Sequence, residues 1–172
     1  MSAQNQTKKL TFGAAGSALI VILLALSNVF PSLDLTLSAI AAVLIYVLLI
    51  EFGYPTALLS YVVSGVLSAI LLPDKNASLF FLFLFGWYPF LRTVLGKSPV
   101  LISWLIKLVC AAGAGGLFWF LFSILFPMPS LAEVFEPIVI IMFLAAFVLY
   151  EIGLGRLVLL YHNRFRTRLF RT

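Results

Sequence analysis

Residues 8–31 read KKLTFGAAGSALIVILLALSNVFP: two lysines, a patch of small residues, a long apolar run and a proline stop. Nothing from Thr11 to Phe30 carries a charge. About 20 such residues suffice for a helix to cross the hydrocarbon core of a bilayer. The apolar positions are continuous rather than alternating, which favours a helix over a barrel strand. A lipid interior offers no water to backbone groups, and a helix satisfies its own.

The same pattern recurs along the chain. The expected spans are 11–30, 34–51, 55–72, 78–96, 100–126 and 137–160. Pro31 ends the first, Pro55 opens the third, Pro73-Asp74 closes it, and Pro127 and Pro129 follow the fifth. The chain is 63% hydrophobic, with a mean hydropathy of +1.17, which leaves little for a water-facing domain. The predicted fold class is therefore all-α: a polytopic membrane protein with six transmembrane helices in one membrane domain, residues 1–172.

Charge sets the expected orientation. With the N-terminus inside, Lys8, Lys9, Arg92, Lys97, Arg156, Arg164, Arg166, Arg168 and Arg171 fall on the cytoplasmic side. Only Lys75 falls in an outer loop, together with the acidic Asp34, Asp74, Glu133 and Glu136. The positive-inside rule then predicts both termini inside. The basic C-terminal tail directly follows a span, so anionic lipid headgroups are its expected partner rather than nucleic acid. Lys8-Lys9, the apolar run and Ala25-Leu26-Ser27 loosely resemble a signal peptide. The length of the run and the even span count favour its retention.

Ionisable residues at membrane depth are the strongest functional pointers in such a chain. Lys107 lies roughly 10 Å, and Glu151 roughly 13 Å, from the inner ends of their spans at the helical rise per residue. A pair between them is expected. With Glu51, Arg92 and Arg156 they make an intramembrane charge network near the inner face. Ala14 and Ala18 share one helix face, as do Gly13 and Ser17, and small residues at that spacing allow close helix approach. Pro89 inside the fourth span is expected to kink it.

Candidate substrate ligands gather toward the outer side: Asn28, Ser32 and Asp34 in the first loop, Asn76 and Ser78 in the second, Trp119 and Ser123 in span 5, and Glu133 and Glu136 in the third loop. The single Cys110 and single His162 provide neither a disulfide nor a metal cluster. No Ser/His/Asp grouping and no phosphate-binding Gly-x-x-x-x-Gly-Lys loop is present. Neither an enzyme nor a resident cofactor is expected.

Together these features resemble the substrate-binding S-component of energy-coupling factor (ECF) transporters. The resemblance rests on size, six spans with both ends inside, the run from Lys8 to Ala18 with its Ala14-x-x-x-Ala18 pair, and the Asn28–Asp34 loop leading into a small-residue helix. It implies a subunit that binds a small vitamin-like molecule from outside. It also implies that Ala14 and Ala18 on helix 1 dock against a transmembrane coupling subunit driven by two cytoplasmic ATPases. The implied location is the plasma membrane of a prokaryotic cell. The chain departs from the family where 79–85, 116–126 and 138–148 are almost wholly apolar. That points to a hydrophobic substrate, or to the fold without the transport role. The rod-shape protein MreD is similar in its six-helix shape, so a non-transporting membrane scaffold is the rival reading.

Overall fold

The computed structural model describes residues 3–96, 99–125, 145 and 147–156. The chain divides into two compact units, Met1–Leu121 and Phe122–Thr172. Described residues are helix or connecting turn, with no strand among them.

In the first unit, α1 is Ala3–Ser27, α2 Asp34–Phe52 and α3 Tyr54–Leu71. A fourth span is assembled from α4 (Asn76–Leu79), a π-helical turn (Phe80–Phe85) and α5 (Tyr88–Leu95). The helix α6 is Val100–Leu125. Among the described residues, four helices are long and apolar enough to cross a membrane: Lys9–Ser27, Pro31–Phe52, Tyr54–Leu71 and Asn76–Leu95. The fifth expected span is helical, with an apolar stretch at Leu101–Leu117. Of the sixth, 145 and 147–156 are helical and belong to the second unit, and the rest lies outside the described residues.

α1 differs from its expected bounds at both ends. It starts earlier, because intrahelical hydrogen bonds do not stop where hydropathy does. It ends at Ser27, because Asn28 to Phe30 fold into a turn ahead of Pro31. The amides of Val29 and Phe30 both donate to Leu26 O, at 3.1 and 3.2 Å. Pro31 then opens a 3-10 turn, Pro31–Leu33, that leads into α2.

Only Gly53 separates α2 from α3. Its φ of +88° lies where a side chain would be strained, and Pro55 sits in the first turn of α3. At the other end of α3, Leu72 is extended ahead of Pro73, as a residue before proline prefers.

α2 is the centre of the unit. α1 packs on α2 and α3, and the fourth span lies chiefly against α2. Ile20, Leu24, Ala41, Ala42, Ile45 and Phe81 are fully buried there. The outward faces are just as apolar, with Leu59, Val62, Val66 and Ile70 of α3 exposed. Such a surface is what a bilayer covers.

Small residues set the closest approaches. A Cβ on Gly13 would lie 3.0 Å from Thr56 Cγ2, so α1 and α3 nearly touch there. A Cβ on Gly65 would collide with Leu82 of the fourth span.

The fourth span is interrupted ahead of Pro89, which lies in the first turn of α5, by the π-helical turn Phe80–Phe85. Gly86 N–H donates to Phe81 O at 2.7 Å, a five-residue step. Side chains serve neighbouring carbonyls: Tyr61 Oη donates to Leu82 O at 2.6 Å, and Trp87 Nε1 to Phe83 O at 2.7 Å. Gly86 is required where it stands, since a Cβ there would lie 2.5 Å from the Tyr61 ring and 2.7 Å from Phe81 O.

Candidate functional site

The up-and-down order of the first four spans brings the end of α1, the start of α2, the end of α3 and the start of α4 to one end of the bundle. The polar residues 27, 28, 34, 74, 76 and 78 gather there. Backbone turns and side chains tie the loops together. Asp74 N–H donates to Asn28 Oδ1 at 2.9 Å, joining the first loop to the second. Asp74 in turn accepts from Asn76, from its backbone N–H at 3.1 Å and from its Nδ2 at 3.4 Å. Ser38, one turn into α2, donates from a single hydroxyl shared between Asp34 O at 2.6 Å and Ala77 O at 2.8 Å. That bond pins α2 to α4.

Asp34 is the unusual member. It is the first residue of α2 and only 8% exposed. Ser27 lies within hydrogen-bonding reach, and the Asp74 carboxylate is close enough to repel it. Ser27 has one proton, and Leu24 O, 2.7 Å away, competes for it. Asp34 Oδ1 is buried and has no hydrogen-bond partner among the described residues. The positive end of α2 favours a carboxylate by about 0.3–1 kcal/mol. Burying an ion costs several kcal/mol. The helix end therefore does not account for the charge.

Two more polar atoms at this end are buried without a hydrogen-bond partner: Asn28 Nδ2 and Ser78 Oγ. The Asn28 amide is oriented by the bond from Asp74, which leaves its NH₂ as a spare donor. Ser78 is wholly buried and can donate or accept. A donor, an acceptor and a hydroxyl thus lie at one end of the first unit, and no other buried side-chain polar atom among the described residues of that unit lacks a partner. Each unmet group costs about 1–3 kcal/mol.

Of the expected ligands, Asn28, Asp34 and Asn76 meet at this end. Trp119 and Ser123 lie on α6, with side chains outside the described set, and Glu136 lies outside the described residues altogether. Asp74 and Ser78 complete the cluster. Ser78 was among the candidate ligands read from the sequence; Asp74 was placed in an outer loop without a role, because its part depends on which loops converge.

The small-residue patch of α1 divides by face. Gly13 and Ser17 are buried, and Ser60 donates to Gly13 O at 3.2 Å. Ala14 and Ala18 are exposed. Among the expected charge network, Glu51 and Arg92 are half-buried, and Arg92 stands over the Tyr46 ring at 5.9 Å. Lys107 is buried on α6 with Trp104 beneath its ammonium at 5.8 Å. Glu151 is buried and Arg156 exposed in the second unit.

No group of three or more His, Cys, Asp or Glu suited to a metal ion occurs among the described residues. No protein-family model matches the chain, and neither a curated protein nor a solved structure matches it.

Proposed function

We propose that this chain is a multi-pass plasma-membrane protein that captures a small solute at the polar end of its bundle, as the substrate-binding subunit of an ECF-type uptake system does. The observation that carries the reading is the buried Asp34 carboxylate, which has an oxygen without a partner at the same end of the bundle as the equally unpartnered Asn28 Nδ2 and Ser78 Oγ. A lipid-embedded protein gains nothing from such groups unless something fills them. The solute then carries polar, positively charged or N–H-rich chemistry at the end that enters the cluster, and the apolar outer stretches suit its remainder.

In this reading six spans leave both termini inside, so the cluster faces outward. The coupling subunit approaches over Ala14 and Ala18, which are exposed and carry no large side chain. The same exposed face also fits a membrane scaffold that binds protein partners and no solute.

Native mass spectrometry of the gently extracted chain separates the two. The expected result is a bound small molecule that is lost in Asp34→Asn. Recovery of protein partners, with no small molecule across repeated preparations, would establish the scaffold instead.

A further inference from the structure

Charge balance at the polar end is unfinished. Two carboxylates, Asp34 and Asp74, interact with each other, and neither forms a salt bridge with a cationic side chain among the described residues. Lys75 is next in sequence to Asp74, but its ammonium reaches back to Ala69 O at 2.7 Å. Asp74 already accepts two hydrogen bonds from Asn76. Asp34 keeps one oxygen unmet at 8% exposure. α1 and α3 end here and α2 and α4 begin here, so the helix dipoles at this end oppose one another.

We propose that this end of the bundle binds one monovalent cation, with Asp34 Oδ1 as its anionic ligand and the Ser78 hydroxyl as a neutral one. The inference rests on reading this end as a binding site. The available donors are oxygens, which suit hard cations and ammonium groups. A divalent ion takes more carboxylates than one free oxygen and a hydroxyl supply. A single positive charge offsets the single unmet one.

The cation has two possible sources, and Asn28 serves both. If the charge is the ammonium of the captured solute, Asn28 Nδ2 donates to an acceptor on the same molecule. If it is a free alkali ion, Nδ2 donates to a water in its shell.

Thermal unfolding of the full chain in detergent, at constant ionic strength with choline chloride as the inert salt, tests this. Replacing choline with sodium or methylammonium should raise Tm saturably, by about 5 °C. Ser78→Ala should weaken the response about tenfold in concentration, and Asp34→Asn should abolish it. A response to sodium alone identifies a free ion; a response to methylammonium alone identifies the amine of a solute.

Equal Tm in all three salts, or an unchanged response in Asp34→Asn, would overturn the proposal. Should Asp34→Asn fail to fold, the wild-type and Ser78→Ala titrations still decide. A solute seen by mass spectrometry with no cation response leaves the capture reading standing and removes the cation. A cation response without any solute does the reverse.

Discussion

The middle of the bundle and its polar end both bury polar side chains, and they treat them differently. In the middle, Ser17, Ser60, Ser64 and Ser68 are buried, and every hydroxyl donates to a backbone carbonyl. Three of these bonds stay within the serine's own helix, and the fourth, Ser60 to Gly13 O, ties α3 to α1. At the end, Asn28 Nδ2, Asp34 Oδ1 and Ser78 Oγ have no such partner. A helix in lipid must satisfy its polar groups internally. The middle obeys that demand, and at the end these three atoms do not.

The largest way to break this contrast is to spoil the close approach that holds the middle together. Gly65→Val would drive side-chain atoms into Leu82, whose carbonyl also receives the Tyr61 hydroxyl. Overpacking of this kind costs about 1–3 kcal/mol, and the collision here calls for the upper figure. The expected outcome is loss of monodisperse protein on size exclusion. A well-behaved variant with wild-type Tm would mean that the α3 contact with the fourth span is loose.

The next effect has the opposite sign. Asp34→Asn keeps the shape and removes the unmet charge. In the absence of any occupant it should stabilise the chain by about 1–2 kcal/mol, while removing binding. A lower Tm in choline would show that the carboxylate is already well served, and the distinction between middle and end would fall.

A smaller loss is expected in the middle. Ser60→Ala removes the interhelical bond to Gly13 O and should cost about 0.6 kcal/mol, typical of such bonds in membrane helices. Chemical denaturation in mixed micelles has the resolution to see it. A neutral result would mean that apolar contact alone holds α1 on α3.

The smallest effect is expected on the outer face of α1. Ala14→Leu with Ala18→Leu touches exposed positions and should change stability by less than about 0.5 kcal/mol. Co-purification with partner subunits should nevertheless disappear. Strong destabilisation would place those residues in the interior.

Much of this was legible in the sequence. Pro31, Pro55 and Pro73 marked the ends of helices because proline acts through local geometry alone. Asn28, Asp34 and Asn76 stood out because polar residues are scarce beside apolar runs. The role of Asp74 was not legible, since it arises only where loops 46 residues apart meet, in the bond from Asp74 to Asn28. The two faces of α1 could not be ranked either. Gly13 with Ser17 and Ala14 with Ala18 have the same spacing, and lipid is as apolar as a core, so hydropathy does not say which pair turns inward. The serine column of α3, Ser60, Ser64 and Ser68, was not singled out either, because small hydroxyl residues within an apolar run do not show which carbonyl they reach.

The π-helical turn at Phe80–Phe85 has a consequence for how the gene can change length. Such a turn is an α-helix carrying one surplus residue. Shortening the run FFLFLF by one position would convert it to ordinary helix and leave Asn76 and Arg92 on the faces they now occupy. The same deletion anywhere in α2 would swing everything beyond it by about 100°. The fourth span therefore contains a stretch where a single-codon deletion is absorbed, in a protein whose other described spans have no such slack.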